Sequence, residues 1–213
     1  MILVNGHIKG GVGKSTQTVN IAEELNARGY KVVIVEADPT IRTSTNWGED
    51  RSADESLSPI TVMIKYGDVS QAVTELDQTY DFVLVDAAGK DSTELRTAMA
   101  AADALIVPQP PSNADLDSLN ELDDIVKKVR RVNPDLTTTI VISRADTHPF
   151  IDDAAQTRTL LHSEYPDFNV ASTVIHERRA YRAALAAGRG VVKWKDYKAK
   201  AEMQVLVTEL IGD

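Results

Sequence analysis

The run Lys9-Gly10-Gly11-Val12-Gly13-Lys14-Ser15-Thr16 restricts what this chain can fold into more than any other feature of it. An apolar segment of strand length, residues 2–8, leads into it. A helical pattern over residues 15–28 leads out, with Val19, Ala22 and Leu25 on one side. Three glycines let the backbone wrap closely around an anion and turn several N–H groups toward it. The helix that follows adds its positive end. Lys14 supplies a point charge for the β- and γ-phosphates, and the Ser15 hydroxyl is placed to ligate Mg²⁺. A phosphate-binding loop is therefore expected, built from residues 9–16. A loop of this kind needs a strand before it and a helix after it, which commits the chain to alternating strand and helix.

The rest of the sequence keeps that alternation. Strands are predicted at residues 31–36, 60–64, 82–86, 104–108, 138–143 and 170–175, and helices at 69–77, 93–102, 114–132, 151–164, 178–187 and 196–211. The helix at 114–132 puts Leu119, Leu122, Val126 and Val129 on one stripe, and Ser112 with Asp115 resembles a capping box. Continuous apolar strands separated by helices indicate an α/β fold, a mainly parallel sheet with helices on both faces. No repeat or Pro/Gly-rich linker divides the 213 residues, so one domain over 1–213 is expected.

Composition removes several chemistries. There is no cysteine, which excludes disulfides, thiolate zinc sites, cysteine-held iron–sulfur clusters and cysteine nucleophiles. His7, His148, His162 and His176 lack the paired spacing of a metal site and are expected in structural roles. No apolar run reaches the ~18–20 residues that cross a bilayer, and the first residues carry no basic flank or small-residue cleavage site. A cytoplasmic protein is the expectation. The net charge of −9 is unevenly spread, because residues 177–200 hold eight basic and two acidic side chains. That segment carries +6, so the remainder carries −15. A polyanion is attracted at one end and repelled elsewhere.

The loop departs from the strict pattern G-x-x-x-x-G-K-[ST], whose first glycine would fall at Ile8. A second lysine, Lys9, opens it instead. A cation there lies on the wrong side of the loop to duplicate Lys14. It could reach a nucleotide held by a facing subunit, or be a solvated lysine at a strand end.

With its second lysine the loop resembles the deviant Walker A motif of the ParA/MinD ATPases. Asp38-Pro39-Thr40 is similar to that family's switch I, and Phe82-Val83-Leu84-Val85-Asp86-Ala87-Ala88-Gly89 to its Walker B strand and switch II. The resemblance runs the whole length, through Thr45-Asn46-Trp47, the Pro108–Pro111 loop and the Arg178-Arg179-Ala180-Tyr181-Arg182 stretch. It is strongest to the short, ParF-like plasmid-partition members, which have no separate N-terminal DNA-reading domain. Two positions depart: Glu36 stands where the family often has Asp, and Thr40 where it usually has Gln. Both flank the water-positioning region.

The resemblance implies a slow Mg²⁺-ATPase that forms an ATP-sandwich homodimer, with Lys9 crossing to the partner's nucleotide. Lys9, Lys14 and Asp38 are the expected catalytic residues. Ser15, Asp38 and Asp86 are the expected Mg²⁺ set. Lys9, Gly10, Gly11, Val12, Gly13, Lys14, Ser15, Thr16, Asp86 and Gly89 are expected at the nucleotide, with Pro108 and Pro110 beside the adenine. The family's non-specific DNA binding falls on Arg178, Arg179, Arg182, Arg189, Lys193 and Lys195. The leading expectation is DNA partition on the nucleoid, with hydrolysis stimulated by a ParB-like or small centromere-binding protein. The alternatives are a relative that positions a non-DNA cargo (a carboxysome or a chemoreceptor cluster) and a membrane-associated, MinD-like ATPase. The last is disfavoured because Glu202, Glu209 and Asp213 surround the apolar stripe Met203, Leu206, Val207 and Leu210.

Overall fold

The computed structural model describes residues 1–112, 116–148 and 153–212. Its sheet has seven strands, β1 (Ile2–Asn5), β2 (Val32–Ala37), β3 (Thr61–Ile64), β4 (Phe82–Ala87), β5 (Ala104–Gln109), β6 (Thr137–Ala145) and β7 (Asn169–His176). They lie in the order β3-β2-β4-β1-β5-β6-β7, and every ladder is parallel. The helices are α1 (Lys14–Ala27), α2 (Thr43–Ser52), α3 (Ser70–Asp77), α4 (Thr93–Ala101), α5 (Leu116–Val129), α6 (Asp153–Glu164), α7 (Arg179–Leu185) and α8 (Tyr197–Ile211).

The four central strands are buried along their whole length, because helices cover both sheet faces. Alternate residues of one strand serve opposite cores. Val4, Val33, Val85 and Leu105 pack with Leu95, Met99, Leu119 and Leu122 from α4 and α5. Leu3, Ile34, Leu84 and Ile106 pack with Val19, Ala22 and Leu25 of α1 and with Met203, Leu206 and Val207 of α8. The C-terminal apolar stripe is thus a core-packing helix face, and no described helix is long and apolar enough to cross a membrane.

Sheet order reverses about β1, which has β4 on one side and β5 on the other. Carboxyl ends of strands at such a point leave a crevice for ligands, and the loop at residues 9–13 opens there.

The helix α2 is absent from the sequence expectation. No side chain of its own caps it. Its first N–H groups are met instead by Glu36 of β2, whose Oε2 accepts from Ser44 N at 2.9 Å and Thr45 N at 3.3 Å. A cap delivered by another element leaves no local signal. The proposed Ser112–Asp115 capping box lies partly outside the described residues.

Candidate nucleotide site

Gly13 caps α1 with φ 108° and Gly11 has φ 77°, left-handed conformations that a side chain would strain, so the loop can turn its amides inward. Lys14 is buried, and its ammonium donates to the Lys9 carbonyl at 2.9 Å. Burial pushes its pKa down, partly offset by the nearby charges of Asp86 and Asp38. Gly89, after β4, rests on the loop: a Cβ there would stand 2.9 Å from Gly10 Cα and 3.1 Å from Lys14 Nζ. No larger residue fits between switch II and the phosphate loop.

Across the sheet, Asn5, Asp86 and Glu36 are register partners on β1, β4 and β2, so they form one row on the α1 side. Asp86 Oδ2 accepts from Ser44 Oγ at 2.6 Å, and the Ser15 hydroxyl also faces this carboxylate. Burial raises the pKa of Asp86. Glu36 is raised too, first by burial and then by the charge of Asp86 beside it. Among the described residues, the buried side-chain polar atoms without a hydrogen-bond partner belong to Asn5, Gln17, Glu36, Thr45 and Asp86. Buried polar groups are otherwise almost always satisfied, so this row is built to meet a ligand. A hard divalent cation fits it: Asp86 Oδ1 is an unpartnered buried carboxylate oxygen, and the Ser15 hydroxyl faces the same carboxylate.

Asp38 sits at the rim, and one of its oxygens holds the turn. Oδ1 accepts from Thr40 N at 2.8 Å, Thr40 Oγ1 at 2.6 Å and Ile41 N at 3.2 Å. Asp38 thus has a structural role as well, and it falls on one oxygen.

Two cavities meet at the loop. The first, ≈ 630 Å³, runs from Lys14, Ser15, Thr16, Asp38 and Gly89 to Ser143, Ile175, His176 and Tyr181. The second, ≈ 390 Å³, is lined by Lys9, Val12, Pro110, Pro111 and Ser112. Gly10, Gly11, Arg144 and Glu177 line both. Lys14 therefore opens on one and Lys9 on the other.

The two prolines expected beside the adenine are placed differently. Pro108 is buried inside β5 and lines neither cavity, while Pro110 lines only the second. The space beyond the phosphate loop lies instead at the ends of β6 and β7. Arg144, with φ 55°, is the one described non-glycine residue in the left-handed region. Its guanidinium reaches Gly11 O at 2.5 Å and Glu177 at 2.7 Å. Ser44 and Arg144 carried no signal in the sequence, and His176, expected in a structural role, meets Glu202 at 2.9 Å while also lining the first cavity. Ser44 lies on the unrecognised helix, and the other two end strands that carried no motif.

The basic segment is divided. Arg178 pairs with Glu202 at 2.5 Å, Arg182 with Glu177 at 2.5 Å, Arg189 with Asp54 at 2.6 Å, and Lys193 approaches Glu23 at 3.5 Å. Arg178 and Arg182 line the first cavity rather than a separate face. Arg179 and Lys195 are exposed, as is Lys198. Two tyrosines of the same segment differ in burial: Tyr181 is buried in the core and Tyr197 is exposed.

The family model described as "AAA domain" matches residues 1–75, and that described as "ATPase MipZ" matches residues 61–146. A "Maintenance of carboxysome distribution protein A" from Gloeobacter kilaueensis is 30% identical over 200 residues, covering 93% of this chain and 86% of that protein. Its namesake from Halothiobacillus neapolitanus is 28% identical over 217 residues, covering 98% and 95%. In fold, the chain is similar to the septum site-determining protein MinD of Pyrococcus horikoshii solved with Mg-ADP. That match has a TM-score of 0.74 at 20% identity and covers 98% of this chain and 95% of that one.

Proposed function

Because this chain belongs to the ParA/MinD family of ATPases, we propose that it binds ATP with Mg²⁺, pairs face to face with a second copy, and spends ATP to distribute a cargo in the cell. The observation that carries this reading is the split of the two lysines, Lys14 lining one cavity and Lys9 only the other. Lys14 neutralises charge on its own nucleotide, and Lys9 serves the nucleotide of the facing subunit. Ser15 and Asp86 hold the Mg²⁺, directly or through water, which when bound neutralises charge on the β- and γ-phosphates. With Oδ1 committed to the turn, Asp38 is assigned to accept a hydrogen bond from the attacking water rather than to the metal. The base occupies the part of the first cavity beside Ser143, Ile175 and His176.

The cargo reading follows the relatives. Both curated relatives above are named for carboxysome distribution, which favours a non-DNA cargo over plasmid partition. Non-specific DNA serves as the surface that holds the dimer in the cytoplasm, on the nucleoid, through exposed cations such as Arg179, Lys195 and Lys198. A partner bound to the cargo stimulates the slow hydrolysis, and release follows because a dimer doubles the DNA contacts that a monomer makes. Sedimentation with Mg²⁺ and a slowly cleaved ATP analogue tests the pairing. Two-subunit particles are expected for the unaltered chain, and single subunits would overturn it.

A further inference from the structure

His7 has no place in the chemistry above, yet its surroundings are specific. It is fully buried, two residues past the end of β1. Its Nδ1 accepts the Lys9 backbone N–H at 3.0 Å, so that nitrogen carries no proton. The proton resides on Nε2, which lies 3.1 Å from Gln109 Oε1 at the end of β5. Gln109 cannot turn over without loss, because its Nε2 donates to Pro110 O at 3.1 Å. On the other side of the same residue, in the next peptide unit, Lys14 Nζ holds the Lys9 carbonyl. One hydrogen-bonded line therefore runs from the loop after β5, through Gln109 and His7, to the backbone of Lys9 and on to Lys14.

We propose that His7, oriented by Gln109, is the positioning residue for Lys9, fixing the point and direction from which the second lysine leaves the phosphate loop. The proposal rests on the reading that Lys9 acts in the facing subunit's site. Lys14 holds the Lys9 carbonyl only until its ammonium turns to a phosphate. The bond from Lys9 N–H to His7 does not depend on the nucleotide, so it is the restraint that persists when Lys9 must act. The same line ties Lys9 to Pro110, and both border the second cavity. The imidazole suits the task because burial, followed by the charges of Lys14 and Lys9, lowers its pKa to about 4, while the Gln109 bond opposes that shift. Its acceptor nitrogen is consequently available at neutral pH.

A double-mutant cycle between His7→Leu and Lys9→Ala tests this, with turnover at saturating ATP and analogue-driven dimerisation as readouts. His7→Leu alone should lower kcat about tenfold, the scale of a modest misplacement of a catalytic group. Nucleotide affinity of the monomer should stay within about twofold. In the Lys9→Ala background the same change should do nothing further. His7→Asn, whose Oδ1 can stand in for Nδ1, should recover part of the loss, and with Gln109→Met it carries the cycle where His7→Leu does not fold. Equal losses in both backgrounds, or a fall in monomer affinity as large as the fall in kcat, would overturn the role of His7 alone. Wild-type turnover and dimerisation in Lys9→Ala by itself would overturn the crossing lysine and, with it, this proposal.

Discussion

Arg51 and Asp86 are both charges shut away from solvent, and the protein surrounds them in opposite ways. Arg51 is saturated with partners: both Glu23 oxygens, the Ser58 carbonyl and the Gly188 carbonyl, with the Trp47 ring 5.2 Å away. Glu23 in turn also accepts from Gly190 N. That cluster joins α1, α2 and the segment after α7, and nothing in it awaits a ligand. Asp86 keeps one oxygen unpartnered, in register with Asn5, whose amide makes no bond at all, and with Glu36. Both regions are polar and lie on the α1 side of the sheet. What separates architecture from site is whether the hydrogen-bond inventory closes.

The largest expected effect comes from breaking the closed cluster. Arg51→Met leaves Glu23 buried with only Gly190 N and Lys193 nearby. A buried charge stripped of its partner costs about 3–5 kcal/mol, and the remaining donors favour the lower end. A urea midpoint lowered accordingly, with unchanged slope, is the expected measurement. Asp86→Asn should behave oppositely. It removes a charge that the ligand-free fold compensates only in part, through Ser44, Ser15 and Lys14, so stability without ligand changes little. The extra stabilisation conferred by Mg²⁺ and nucleotide should vanish. Destabilisation by both substitutions alike would erase the distinction between the two regions.

A smaller effect separates them by pH. Glu36 holds its proton in the folded chain up to about 8, against an ordinary value of 4.5. Between those values the native state binds more protons than the unfolded one, so stability falls as pH rises through that window. Glu36→Gln keeps an acceptor for the Ser44 and Thr45 amides and removes the titration. Thermal melts of the variant should therefore lose that part of the slope between pH 5 and 8. An identical slope in both proteins would show that the row is satisfied after all.

The same contrast explains what the sequence disclosed. The phosphate loop is legible because strand, glycines, lysine and helix are contiguous, and Asp86 because it ends an apolar run beside it. Helix α2 is not, since its cap is the Glu36 carboxylate from another strand. The parallel sheet could be anticipated from unbroken apolar strands, but not that the cavity leads to β6 and β7 and leaves Pro108 behind. Charge misled most. Residues 177–200 sum to a strongly basic segment, yet Glu202, Glu177, Asp54 and Glu23 meet four of its cations. Two of these acids lie more than a hundred residues upstream, so only the fold reveals them.

One of those pairs offers the mildest test. Arg189 meets Asp54 at 2.6 Å with about a third of each side chain exposed. Asp54 is anchored first by the Ser56 hydroxyl and then by Arg189, which together hold its carboxyl near 2. Asp54→Ala removes a negative charge from this surface and releases the guanidinium, whose backbone carbonyl stays fixed by Trp47 Nε1 at 3.2 Å. If Arg189 faces the polyanion, non-specific DNA affinity at low salt should rise a few-fold. The log–log salt dependence should steepen by about one unit per protomer. Unchanged affinity and slope would confine DNA contact to cations without an acidic partner, such as Arg179 and Lys195. The paired arginines would then belong with Arg51, as charges the fold has already used.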